Sequence, residues 1–258
     1  MKETNIAIVT GASSGLGKEF VRQIDHTKKF DEIWLIARRE ERLKSLTQEL
    51  TTPAKVLPLD LTDPTSIEVL KQKFSEEHPN VQLLVNSSGY GKFGNYQEIP
   101  LQSSMDMIDL NCRALVAMTE STLPFMKNGA KIIQIASVAA FFPLPYMNVY
   151  AASKAFVLSY SRALNQELKS RKISVTALCP YWVKTEFIDV AQKDASSNSV
   201  TRFPFITDAP HVVARALKAS EKHRDLCTYG VADKTLNIIG KIFPHRLVMK
   251  VWMKLQKH

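Results

Sequence analysis

The stretch Ile6-Ala7-Ile8-Val9-Thr10-Gly11-Ala12-Ser13-Ser14-Gly15-Leu16-Gly17 passes from a short apolar run straight into a glycine-rich turn and then into an amphipathic pattern. A run of this kind reads as a strand buried on both faces, and the pattern that follows reads as a helix. Glycines at 11, 15 and 17 permit a tight turn and let the backbone come close to a pyrophosphate. The helix N-terminus beyond them presents unpaired N–H groups and a positive dipole end to phosphate oxygens. The chain has only nine glycines in 258 residues. Three of them fall in this one turn, which sets it apart from an ordinary strand-to-helix connection. Ser13, Ser14 and Leu16 complete the candidate phosphate-binding segment.

Outward from this turn, short apolar runs alternate with longer amphipathic ones. Strands are expected at Ile6–Thr10, Glu32–Ala37, Lys55–Pro58, Leu83–Asn86, Lys131–Ile135, Ser174–Leu178 and Leu226–Tyr229. Helices are expected near Leu16–Asp25, Glu40–Leu50, Pro64–His78, Leu101–Met126, Tyr150–Ser170 and Ala209–Ser220. Strands separated by helices imply a central parallel sheet covered on both faces, a three-layer, doubly wound α/β domain spanning residues 1–258. Two segments break the alternation. Thr185 to Thr207 is polar and weakly periodic, and is expected as a substrate loop. Leu236 to His258 is basic and amphipathic, with Pro244 interrupting it. It suits a membrane surface, a subunit interface or a cover over a cleft.

The formal net charge of +9 makes anionic partners plausible. No helix-turn-helix, zinc-finger spacing or RNA-binding aromatic signature accompanies it, so nucleic acid is not the expected partner. Three separated cysteines and six histidines without ligand spacing suggest neither a disulfide framework nor a metal site. Apolar runs stay well short of the ~20 residues of a membrane span. A cytoplasmic location is the expectation, with peripheral membrane contact left open by the basic C-terminal segment.

The second strand ends in Leu35-Ile36-Ala37-Arg38-Arg39. A carboxylate there would bond the ribose 2′-hydroxyl of NAD, whereas arginine accommodates the 2′-phosphate of NADP. With neutral Ala37 followed by two arginines, NADP(H) is expected over NAD(H). Arg38 is the first choice of partner, and Arg39 is open to being solvated. Asp60, with Leu61 beside it, is a candidate for the adenine amino group or for a helix N-cap.

Tyr150 and Lys154 are four apart on an expected helix and therefore share a face. Ser137 lies thirteen residues upstream of the tyrosine, after the apolar strand Lys131–Ile135. Joined to the glycine turn, this set resembles the short-chain dehydrogenase/reductase superfamily, from Ile6 to about Phe187. The resemblance implies a Rossmann-type fold and a catalytic tetrad of Asn111, Ser137, Tyr150 and Lys154. It implies cofactor contacts from Asn86, Gly89, Pro180, Val183 and Thr185 besides those of the turn. The family's Asn-Asn-Ala-Gly appears here as Asn86-Ser87-Ser88-Gly89, and its Pro-Gly pair as Pro180-Tyr181. It also implies a role for Asn111 in holding a water beside Lys154, and a homodimer or homotetramer built on the helices near Asn111 and Tyr150.

Reducing a ketone requires hydride on carbon and a proton on oxygen. A free phenol has a pKa of ~10, and lowering it by about 3 units takes roughly 4 kcal/mol. An ammonium near ~4 Å at an effective dielectric of ~20 supplies about that much. The expectation is therefore a Tyr150 acidified by Lys154, aided by the charge of the oxidised nicotinamide, acting as general acid and base, with Ser137 bonding the substrate oxygen. The apolar segment Ala139–Met147 suggests a hydrophobic substrate, with Phe141, Tyr146 and Phe187 as candidate contacts. Phe187, Ile188, Phe203 and Phe205 are candidate lid residues. The rival readings are a dinucleotide-binding sensor or scaffold without turnover, a charge-driven membrane or nucleic-acid binder and, among enzymes, an acyl-chain ketoreductase.

Overall fold

The computed structural model describes residues 3–193 and 200–256. Seven parallel strands form one sheet in the order β3-β2-β1-β4-β5-β6-β9. They are β1 (Asn5–Thr10), β2 (Glu32–Ile36), β3 (Ala54–Leu57), β4 (Asn80–Asn86), β5 (Lys131–Ile135), β6 (Ser174–Cys179) and β9 (Leu226–Thr228). Two-residue strands β7 (Val183–Lys184) and β8 (Thr207–Asp208) pair separately in parallel. The helices are α1 (Gly15–Thr27), α2 (Glu40–Thr47), α3 (Pro64–Glu77), α4 (Leu101–Ile108), α5 (Ala114–Thr122), α6 (Asn148–Glu167), α7 (Phe187–Gln192), α8 (Ala209–Glu221), α9 (Gly230–Ile242) and α10 (His245–Leu255).

The strands are buried on both faces because alternate side chains feed two separate cores. Ala7, Val9, Leu35 and Ile133 pack with Phe20, Val21 and Ile24 of α1 and with Val212, Val213 and Ala216 of α8. Ile6, Ile8, Trp34 and Ile132 face the other way, against Leu70 and Phe74 of α3, Met118 of α5 and Leu164 of α6. Stacking of Trp34 on Phe74 at 5.5 Å anchors this second layer.

The sequence pattern merges Leu101–Met126 into one helix. In the structure α4 and α5 are separated by a π-turn, Asp109–Arg113, and α5 gives way to a 3₁₀ turn, Leu123–Phe125, that contains Pro124. One extra residue per turn leaves the apolar periodicity almost unchanged, so the pattern does not reveal it. The region expected as a loop at 185–207 contains α7 and is bracketed by the paired strands β7 and β8. Residues 194–199 lie outside the described residues. Among the described residues, no helix is long and apolar enough to cross a membrane.

Candidate active site

Sheet order reverses between β1 and β4, and the glycine turn sits in the crevice beyond their C-terminal ends. Gly11 and Gly15 have φ of +66° and +53°, backbone conformations that favour glycine. A Cβ on Gly11 would fall 2.8 Å from the Ser87 carbonyl oxygen, and one on Gly17 only 2.2 Å from that of Gly11. The turn is thus pressed against the end of β4 and closed upon itself. Thr10 Oγ1 accepts from the N–H groups of both Ser87 and Ser88 at 3.0 Å, tying the two strand ends together. Ser14 caps α1 without a side-chain hydrogen bond, and the first turn carries no acidic residue. An anion in the crevice would therefore meet donors with no side-chain rival.

The two arginines both line the cleft but make different contacts. Arg38 is largely exposed and pairs with Asp60 at 3.7 Å. Arg39 lies over the turn, donating to Ser14 Oγ at 2.7 Å and Ser13 Oγ at 3.2 Å, and to Glu186 Oε2 at 3.1 Å. Asp60 accepts from the N–H and hydroxyl of Thr62. The cap of α3 is Asp63, which accepts from Thr65 N at 2.9 Å, so the N-cap reading of Asp60 is overturned. Asp60 and Leu61 both line the cleft.

Ser137 follows β5, and Tyr150 and Lys154 stand on successive turns of α6. All three are buried and meet at the floor of a cleft of about 1000 Å³ that also contains the glycine turn. The Ser137 hydroxyl accepts from Ala139 N at 3.1 Å, so it caps the turn as well as neighbouring the phenol. Lys154 Nζ donates to the Ile135 carbonyl at 2.7 Å and stands 5.8 Å from the Tyr150 ring centre. Burial pushes the phenol up to about 12, against a smaller downward pull from Ser137. Burial likewise brings Lys154 down to about 8. In the protein alone, burial is thus the stronger influence on the phenol. A phenolate here would lose its hydration, and the ammonium gives one of its hydrogens to a backbone oxygen.

Asn111 lies in the π-turn, a frequent setting for functional residues. Its Nδ2 donates to the Tyr90 carbonyl at 2.9 Å and to Ser153 Oγ at 3.0 Å, and its Oδ1 accepts from Tyr90 N at 3.1 Å. Ser153 in turn donates to the Tyr150 carbonyl at 2.7 Å. A Cβ on Gly89 would sit 2.8 Å from Asn111 Oδ1 and 3.4 Å from Lys154 Nζ. Glycine therefore leaves a gap between the two. Sequence reasoning did not select Ser153 or Tyr90, because neither carries a motif of its own.

Leu16, Gly89, Pro180, Val183 and Thr185 line the cleft as expected positions. Asn86 does not: its side chain is buried and donates to Thr119 Oγ1 at 2.9 Å. Gly17 also lies behind the lining and serves the packing of the turn. Of the candidate substrate contacts, Phe187 lines the cleft, whereas Phe141 and Tyr146 do not; Phe142, Leu144 and Met147 take their place. The 3₁₀ turn Val138–Phe141 ends where Phe142 becomes extended, and this shift turns Phe142 towards the cleft. Phe203 packs against Phe93 and Trp182, Phe205 is exposed, and Ile188 is absent from the lining, so only Phe187 of the proposed lid group faces the site. The largest apolar wall was not anticipated residue by residue. Leu236, Ile239 and Phe243 come from α9 and its end, and Leu247, Val248, Val251, Trp252 and Leu255 from α10. The basic C-terminal segment covers the cleft, one of the three placements the sequence leaves open. Trp252 Nε1 fastens it by donating to the Pro145 carbonyl at 3.0 Å.

Comparison with known proteins agrees with this geometry. A sequence profile described as short chain dehydrogenase matches residues 5–196. The chain is 34% identical over 192 residues to the NADP-dependent 3-hydroxy acid dehydrogenase YdfG of Shigella flexneri, covering 73% of this chain and 77% of the relative. It is 28% identical over 261 residues to a very-long-chain 3-oxoacyl-CoA reductase of Anas platyrhynchos, covering 97% and 80%. A short-chain dehydrogenase from Sphingobium yanoikuyae in complex with NADPH shares the fold with a TM-score of 0.77 at 24% identity, over 96% of this chain and 95% of the other.

Proposed function

Because this chain belongs to the short-chain dehydrogenase/reductase family of oxidoreductases, we propose that it interconverts a carbonyl and an alcohol with NADP(H), using Tyr150 as acid and base, on an apolar substrate. The observation that carries this reading is a single cleft floored by Tyr150, Lys154 and Ser137, with the glycine turn and arginines at one end and apolar side chains at the other. The first end suits a dinucleotide: the turn and the uncapped N–H groups of α1 would take the pyrophosphate, and Arg39 and Arg38 a 2′-phosphate. Ala37 leaves no carboxylate to repel that phosphate. When bound, the reduced cofactor supplies the hydride.

Tyr150 gives its proton to the carbonyl oxygen, and Ser137 donates a hydrogen bond to the same atom as charge develops there. A phenol held near 12 is protonated at neutral pH, so the residue stands ready as an acid. Lys154 returns the proton, and Asn111 Oδ1, with a second lone pair on the Gly89 side, orients a water on that route. The wall built by α9 and α10 suits a bulky ketone, steroid-like or acyl-chain. Exposed Leu101, Met105, Ile108 and Phe156 on α4 and α6 support a homodimer or homotetramer through those helices.

The test is NADPH and NADH oxidation with a panel of aldehydes, ketones, steroids and acyl-chain ketones, repeated with Tyr150→Phe. Turnover lost in the variant, with NADPH binding retained, is the expected result. NADPH binding without turnover on any carbonyl would leave the sensor reading in its place.

A further inference from the structure

The outer surface of α9 and α10 is unlike the rest of the protein. On α10, helical spacing sorts the residues into three adjoining stripes. Val248 and Trp252 face inward; Leu247, Val251 and Leu255 form the lip of the cleft and are each about half exposed. Arg246, Lys250 and Lys254 run alongside that lip. On α9, Val231, Ile238 and Ile242 make a second outward apolar stripe, with exposures of 80%, 54% and 69%. From Gly230 to Gln256 there are five Lys or Arg residues (Lys234, Lys241, Arg246, Lys250 and Lys254) and one acidic residue, Asp233. Asp233 is buried and bonded to the Tyr229 N–H. None of the five cations has an ion-pair partner among the described residues.

We infer that this face docks on an anionic phospholipid bilayer, with the apolar stripes entering the headgroup boundary and the five cations meeting lipid phosphates. Amphipathic helices with basic polar faces bind in this way, by buried apolar area together with attraction to anionic lipid. A second copy of the chain is the less suitable occupant. A two-fold interface would bring two such sets of like charges together, with no exposed carboxylate on α9 or α10 to neutralise them. Docking here sets the apolar mouth of the cleft against the bilayer, so an apolar compound can enter without crossing water. That consequence rests on the function proposed above; the docking itself does not.

The experiment is flotation of the full chain with vesicles of phosphatidylcholine alone or mixed with phosphatidylglycerol at 7:3, at low and high salt. Two double variants, K250E/K254E and I238S/I242S, change exposed residues outside the cleft lining. NADPH binding, measured on every sample by nucleotide fluorescence, reports the folded site independently. The expected result is at least tenfold stronger binding to the anionic vesicles, lost at high salt. Each variant should reduce binding at least tenfold while keeping NADPH affinity. Absence of binding to anionic vesicles at low salt, or binding unchanged by K250E/K254E, overturns the proposal. It also falls if I238S/I242S dissociates a homodimer in sedimentation velocity, for a second copy then covers the face.

Discussion

Gly91→Ala is the most direct trial of whether packing fixes the phenol proposed as proton donor. A Cβ at this buried position would lie 2.9 Å from Tyr150 Cδ2, 3.2 Å from Tyr150 Cγ and 3.0 Å from Phe187 Cζ. Carbon atoms rest about 3.5–4.0 Å apart, so the tyrosine ring must retreat by roughly 0.6 Å at its edge. Phe187 can yield, because its contact is the far end of the ring. The Tyr150 contacts lie near the root of the side chain, where a small tilt is amplified at the hydroxyl to about 1 Å. Misplacement of that size costs on the order of a hundredfold in rate, or about 3 kcal/mol of barrier. The assay is steady-state NADPH oxidation with the best carbonyl from the panel, with NADPH affinity and thermal midpoint measured alongside. Expected are a thirty- to hundredfold lower kcat, NADPH affinity within about twofold and a midpoint lowered by only a few degrees. In a Tyr150→Phe background the same change should add almost nothing, since the two act through one group. A kcat within threefold of the parent, with the fold intact, would refute the assignment of Tyr150 as a packing-positioned proton donor.

Further outcomes follow from the charges. Replacing Arg38 and Arg39 by aspartate should weaken NADPH by roughly ten- to hundredfold, the worth of a charged hydrogen bond, and NADH by at most about threefold. Equal losses in a fluorescence titration would remove the 2′-phosphate assignment. Asp233→Asn reports on the start of α9, where burial raises the carboxyl to about 6 against the pull of the Tyr229 and Tyr181 N–H groups. Between the unfolded carboxylate value near 4 and this raised value, the folded state holds more protons. The parent's stability should therefore fall as pH rises through that window. The variant should gain on the parent by an upper bound of about 3 kcal/mol at pH 8 and by almost nothing at pH 4. A difference independent of pH in urea unfolding would contradict the buried ionisation. Asp25 has the opposite sign. Burial raises it, but bonds from Thr52 and Thr51 outweigh that and leave it below the usual carboxylate range. Asp25→Ala should thus cost roughly 2 kcal/mol at pH 7, with the deficit shrinking as pH falls below the unfolded carboxylate value.

Much of the site was legible because its signals are local. The glycine turn follows its strand without interruption, and Tyr150 and Lys154 share a face by helical spacing alone. What failed to be read depended on register or distant packing. Phe141 and Phe142 are equivalent in composition, and only the end of a 3₁₀ turn chooses between them. That Arg39 lies over Ser13 and Ser14 while Arg38 pairs with Asp60 could not be told from their order in the chain. The π-turn at Asn111 hides within a helical pattern that tolerates one extra residue.

Chain order and side-chain type were sufficient for the parallel sheet, the glycine turn and the choice of Ser137, Tyr150 and Lys154 as the trio to look for in one cleft, since each signal lies between residues near in sequence. The electrostatic state of that trio, and the wall that closes its apolar side, belong to the tertiary structure. Burial by surrounding elements decides whether a phenol or an ammonium keeps its charge. The amphipathic stripe of α10 acquired its inner and outer faces only when Trp252 met the Pro145 carbonyl, more than a hundred residues away in the chain.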